Sequence, residues 1–225
     1  MQPILEVIAL NAVDARAAQE GGADRIELVA GMSRDGLSPD IETFTQVKTA
    51  TEIAVRVMLR DRDGFGRPAG TGLNDRAAAF RRAGADEFVL GFLDADGAVD
   101  LPPLDALDGC AWTFHRAVDH ATDRAAALRV IRALPGVDYL LTAGSPAGVG
   151  AGLEVLRAEA AHPAGPRILA GGGLLPEHVA PLRAAGVDAF HVGSGVRRGG
   201  WDSPVDAGLV RSWRSLLDAH PPTDK

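Results

Sequence analysis

Short apolar runs recur along the chain at 4–9, 24–29, 53–59, 87–92, 110–115, 138–142, 167–171 and 188–193, and this rhythm leaves few folds open. Ala/Leu/Arg-rich stretches of helical pattern alternate with them, near 12–20, 40–50, 74–83, 102–107, 123–133, 148–161, 176–184 and 205–218. Strand–helix alternation at this spacing predicts a parallel sheet joined by right-handed crossovers. Eight such units close on themselves more readily than they extend an open sheet. The expected fold is therefore α/β, a single (β/α)8 TIM-like barrel over residues 1–225, near the lower end of the size range for that architecture. No Pro/Gly/Ser linker divides the chain.

A short internal repeat sets the register. Gly22-Ala23-Asp24, Gly84-Ala85-Asp86, Gly136-Val137-Asp138 and Gly186-Val187-Asp188 each follow a helical stretch and precede a strand. Glycine there suits the left-handed residue that ends a helix, and Asp satisfies the turn. The Gly-rich stretch from Asp61 to Asn74 is the longest irregular segment and is expected to form a lid over the barrel mouth.

Charge bounds the partners. The formal net charge is −7, so nucleic acid and anionic membranes should be repelled, and neither is expected as a partner. No run approaches the roughly 20 apolar residues of a membrane span. The chain opens directly into a strand with no leader pattern, and Cys110 is its one cysteine, so a cytosolic address without disulfides is expected. The lysines are Lys48 and Lys225, neither at a strand end, which argues against lysine Schiff-base chemistry.

Strands covered on both faces should be continuously apolar, yet Glu6, Arg25, Glu27, Arg56, His115 and His191 interrupt them, and Arg60 and Arg116 follow closely. Side chains alternate faces with period two. Arg25 therefore shares a face with Glu27, and Arg56 with Met58 and Arg60, while Ile26, Leu28, Val55 and Val57 take the other. The apolar set must face the helices, so the charged set faces the barrel axis, toward the C-terminal strand ends where barrel active sites form. Such groups must pair or meet solvent and ligand. A structural salt-bridge lattice and a wet ligand pocket both satisfy that demand. Two inward histidines beside carboxylates favour the pocket.

Glycines follow the seventh and eighth strands: Gly171, Gly172 and Gly173, then Gly193, Ser194 and Gly195, with Arg197 and Arg198 next. Backbone amides in these loops form the habitual phosphate site of such barrels. With Arg25, Arg56, Arg60 and Arg116 nearby, a small anionic metabolite, phosphorylated or not, is the expected ligand. Glu27 or Glu6 would act as general base, His115 as general acid or base and His191 as a second proton carrier. Arg25, Arg60 and Arg116 would hold the anion, and Asp119 would orient Arg116 or His115. Isomerase, epimerase or lyase chemistry suits this lysine-free set, and no metal or cofactor is needed for it.

The segments LEV (5–7), GADRIEL (22–28), GLSP (36–39), VMLR (57–60), GFLDADGAVD (91–100), TFHRAVD (113–119), LLTAG (140–144) and AGGG (170–173) resemble the CutC-type copper homeostasis proteins. The resemblance implies a cytosolic, self-associating TIM-like barrel. It also implies copper binding through cysteines near the ends of strands 1 and 2, where this chain carries Ile8 and Val29. The family's Arg-Pro-Arg after strand 3 is Arg60-Asp61-Arg62 here. Copper binding and non-catalytic metabolite sensing are the alternatives to turnover.

Overall fold

The computed structural model describes residues 2–68, 70, 72–102, 105–161 and 165–219. Eight parallel strands close into a barrel in chain order: β1 (Ile4–Ala9), β2 (Arg25–Leu28), β3 (Ala54–Met58), β4 (Glu87–Leu90), β5 (Ala111–Phe114), β6 (Val137–Thr142), β7 (Arg167–Ala170) and β8 (Ala189–Val192). The pairing of Ile4 with Ala189 and of Glu6 with His191 seals β1 against β8. This is the (β/α)8 barrel expected from the alternation.

Outside it pack α1 (Ala12–Glu20), α2 (Ile41–Ala50), α3 (Gly72–Arg82), α4 (Arg124–Arg132), α5 (Val149–Ala160), α6 (Val179–Ala184) and α7 (Ala207–Asp218). Side-chain caps fix several starts: Asn11 accepts from Val13 and Asp14, Asp40 from Thr43, Asp123 from Ala126 and Asp206 from Leu209. Gly22, Gly84, Gly136 and Gly186 all have positive φ, as the repeated turn requires. Among the described residues no helix is long and apolar enough to cross a membrane.

The helix expected at 102–107 is a correction. Residues 103 and 104 lie outside the described residues, and Asp105–Leu107 forms one 3-10 turn. Asp94 accepts from the amides of Asp96 and Ala98 at 2.9 and 2.8 Å, and an antiparallel bridge joins Leu93 to Val99. This chain reversal occupies the connection, and the proline at 102 lacks an amide donor. The 3-10 turn hangs on α3, with Arg81 donating to the carbonyls of Ala106 and Asp108 and Asn74 accepting from Ala106.

The face assignment from alternation holds. Val7, Ile26, Leu28, Val55, Val57, Phe88, Phe114 and Phe190 pack outward with Ala15, Ala18, Phe44, Val47 and Phe80 of the helices in one apolar shell. Ile8, Val29, Met58 and Val89 form one inner cluster, and Tyr139, Leu141, Leu169 and Ala189 another. The charged strand residues share that interior.

Candidate functional site

The interior charges occupy two storeys. Toward the strand starts, Arg56 donates from Nε to Glu87 at 2.8 Å, from Nη1 to Thr113 and to Asp138 at 2.5 and 2.7 Å, and from Nη2 to Asp138. The Tyr139 ring centroid lies 4.4 Å from the guanidinium carbon of Arg25 and 5.0 Å from those of Arg56 and Arg167. Arg25 donates from Nε to Glu6; its Nη2 has no hydrogen-bond partner, the guanidinium lying against Tyr139 instead. The expectation that the whole charged set gathers at the C-terminal strand ends is thus corrected. Arg25 opens its strand, and the Arg56 side chain runs back to Glu87, the first residue of β4. Both belong to an ionic floor.

Above the floor is a cavity of about 440 Å³ at the barrel mouth. Of the residues singled out in the sequence, Glu27, Arg60, His115, Arg116, Gly172, Gly173, His191, Gly193, Ser194 and Gly195 line it. Glu6, Arg25, Arg56, Asp119 and Gly171 stand behind or beneath this wall.

Glu6, His191 and Glu27 form a relay from floor to cavity. His191 Nδ1 lies 2.7 Å from Glu6 Oε1, and its Nε2 lies 3.7 Å from Glu27 Oε2. Burial alone would raise the Glu6 carboxyl, but Arg25 and the His191 hydrogen bond outweigh it and hold it at about 2. An ionised Glu6 accepts the hydrogen bond of His191 Nδ1–H. Burial lifts Glu27 to about 7; His191 opposes the rise and the Glu6 charge adds to it. Burial works against the imidazolium of His191, yet Glu27 and Glu6 raise the ring's affinity for its proton. A carboxyl near neutrality beside a proton-binding imidazole is poised for acid–base work.

His115 follows β5, and its Nδ1 accepts the amide of Ala117 at 3.2 Å. That bond assigns the ring proton to Nε2, which is buried and has no hydrogen-bond partner among the described residues. Burial, reinforced by the charge of Arg60, lowers its pKa to about 3, so the ring is neutral. Phe65 meets it edge-on at 5.5 Å and stacks on His120 at 4.7 Å. The loop after β3 thus reaches over the mouth, pinned where the Leu93 amide donates to the Phe65 carbonyl. Residues 69 and 71 of the expected lid lie outside the described residues. Arg60 ties the rim together, donating to the carbonyls of Arg34, Asp35, Gly36 and Gly64.

The glycine loops divide by role. A Cβ at Gly171 would strike His191 and Leu141, and one at Gly193 would strike Trp201 and Ile8, so these two glycines make room. Gly172 and Gly173 have φ of +93° and +72°, and the Gly172 carbonyl is turned away to accept from Val149. Among the described residues, the amides of Gly172, Gly173, Ser194 and Gly195 have no backbone acceptor. The Arg116 guanidinium lies against Gly172, where an added Cβ would come within 2.5 Å of Nε. Asp119 holds it there, accepting from Arg116 at 3.1 Å, from Ala143 at 2.9 Å, and from Thr142 and Arg124. Asp119 therefore orients Arg116 and not His115.

Arg197 and Arg198, next to the second glycine loop, do not join the cavity. Arg197 is buried against Asp14 at 2.7 Å and donates to the carbonyls of Ile8 and Ser203, while Arg198 pairs with Asp206 at the surface. Sequence reasoning missed Asp14, a buried carboxylate that also accepts from Leu10 and Val205. It missed the rim contributed by Met32, Phe65, Pro146, Leu174 and Trp201 as well. Asp14 at the third helical residue and Trp201 in a short connection carry no local pattern that separates them from cap and loop residues.

The chain is matched by the model of the CutC family over residues 3–196. A CutC family protein of Xanthomonas campestris pv. campestris is 37% identical over 200 residues, 86% of this chain and 80% of the relative. One from Bacteroides thetaiotaomicron is 36% identical over 197 residues, covering 83% and 78%. The crystal structure of the putative copper homeostasis protein CutC from Streptococcus agalactiae superposes with a TM-score of 0.76 at 23% identity, over 85% of this chain and 98% of that one. An aldolase structure from TTHB1 superposes at 0.61 and 19% identity, covering 95% and 94%, a likeness of fold.

Proposed function

This chain belongs to the CutC family, and on that premise we propose that its barrel mouth binds and transforms a small anionic metabolite rather than holding a cuprous ion. The observation that carries this reading is the run of acceptor-less amides at Gly172, Gly173, Ser194 and Gly195, with Arg116 laid against the first of them. Amides left free by the backbone, on loops that line a cavity beside a guanidinium, suit a phosphate or carboxylate. The cavity volume falls in the range of small-molecule sites. The Glu6–His191–Glu27 relay opens into the same mouth through His191 and Glu27 and supplies the proton chemistry.

The donors fit copper poorly. Cuprous ion prefers sulfur ligands. The positions where the family resemblance expects cysteines hold Ile8 and Val29, packed with Met58 and Val89 into an apolar cluster. Cys110 is buried immediately before β5, at the opposite end of the barrel from the mouth. Both nitrogens of His191 face carboxylates.

Crystals grown in sulfate test the proposal: an ion seated between Gly172 and Ser194 with Arg116 beside it is expected. By calorimetry, Arg116→Ala should weaken inorganic phosphate by about tenfold, the loss of one charge-assisted contact. Anaerobic titration with cuprous ion yielding a micromolar or tighter complex would overturn the proposal. A ligand that binds tightly and is recovered unaltered would point to sensing.

A further inference from the structure

Among the described residues, two of those lining the mouth carry a buried polar atom without a hydrogen-bond partner: Glu27 at Oε1 and His115 at Nε2. Each such atom costs about 1–3 kcal/mol unless something satisfies it. They approach from different sides, since Glu27 stands on β2 and His115 follows β5, three strands on in an eight-stranded barrel. One is a proton acceptor and the other, by the Ala117 hydrogen bond, an N–H donor. A ligand satisfying both presents a hydrogen to the first and an oxygen to the second, and a carbonyl compound with a hydrogen on the neighbouring carbon offers that pair.

We infer that the site removes a proton from a carbon adjacent to a carbonyl, with Glu27 as the base and His115 Nε2–H holding the carbonyl oxygen as it becomes an enolate. The inference rests on the anion-site reading above and narrows its substrate class to small hydroxy- or keto-carbonyl compounds with a phosphate or carboxylate group. In the step, Glu27 takes the proton, the C–H electron pair forms the carbon–carbon double bond, and the carbonyl π pair moves onto oxygen. Return of the proton from Glu27 to carbon regenerates a carbonyl compound, so atoms and charge balance with no co-reactant.

The surroundings fit this division of labour. Burial and the charge of Arg60 favour the neutral ring of His115, which suits an N–H donor to a carbonyl oxygen. A neutral imidazole N–H opposite a carboxylate base raised toward neutrality is a known solution for enolisation. His191, 3.7 Å from Glu27 and tied to Glu6, is placed to exchange the abstracted proton.

The test compares two phosphates by calorimetry, phosphoglycolohydroxamate as an enediolate mimic and glycerol 3-phosphate, which has no carbonyl. The mimic should bind at least about 100-fold tighter. In Glu27→Gln and in His115→Gln that advantage should shrink to within about threefold, the mimic losing far more affinity than glycerol 3-phosphate does. Ring-nitrogen NMR at pH 7 should show His115 neutral with its proton on Nε2. Equal binding of the two phosphates overturns the inference while leaving the anion site standing. Binding of neither overturns the anion site and this inference with it. A charged His115, or a proton on Nδ1, overturns the inference on its own. Should His115→Gln fail to fold, Glu27→Gln and the spectrum decide.

Discussion

The floor of the barrel and its mouth are built from the same residue types and differ in how far the charges find each other: the floor's Arg25 Nη2, unpartnered among the described residues, belongs to a guanidinium that lies against the Tyr139 ring. On the floor, Arg56 meets Glu87, Thr113 and Asp138, and Tyr139 lies among three guanidiniums. At the mouth, Glu27 Oε1 and His115 Nε2 are buried without a hydrogen-bond partner among the described residues. Inward charge alone therefore does not mark a site. An unsatisfied polar atom on a wall residue of a cavity does, because folding gains nothing from it and a ligand can.

The contrast can be broken most forcefully at Arg56. Arg56→Ala strands Glu87 and Asp138 and should cost about 3–5 kcal/mol, seen as a large fall in melting temperature. An unchanged melting temperature would show that the floor is not the structural half of the comparison.

Glu27 should behave in the opposite sense. Its folded pKa of about 7 lies above the 4.5 of an ordinary glutamate. Below pH 4.5 the stability linked to its proton is fully present, and it is lost as pH rises from there through 7, since the unfolded chain then releases the proton more readily. Glu27→Gln escapes that loss. It should match the parent near pH 4 and exceed it by on the order of 2 kcal/mol at pH 8, by chemical denaturation at both pH values. A variant less stable than the parent at pH 8 would move Glu27 into the structural class.

The smallest stability effect is expected at Arg116, half-exposed at the rim. Arg116→Ala should change stability by less than about 1 kcal/mol while weakening phosphate as described above. A loss comparable to that of Arg56→Ala would erase the distinction between storeys.

The fold was largely legible because periodicity and turn chemistry are local. Alternation placed Ile26, Val55 and Val57 outward, and the Gly-x-Asp turns marked where strands begin. The 102–107 helix was misjudged because an Asp94 turn and its bridge override a helical-looking composition. Within the site, alternation fixed which face a charge takes but not its height along the axis. Arg56 finds partners 31 and 82 residues away, and Arg197 reaches Asp14 across 183, separations over which one sequence carries no pairing signal. Glu27 differs from Arg25 by two positions along one strand, and that step takes a residue from floor to cavity wall.

Arg60 leaves one practical consequence. Because a single guanidinium gathers carbonyls from residues 34–36 and from Gly64, the two rim loops share one fastening. Neither can be lengthened or exchanged without disturbing the other's anchorage. Anyone grafting new specificity onto this scaffold would have to transplant both loops together, with the arginine between them.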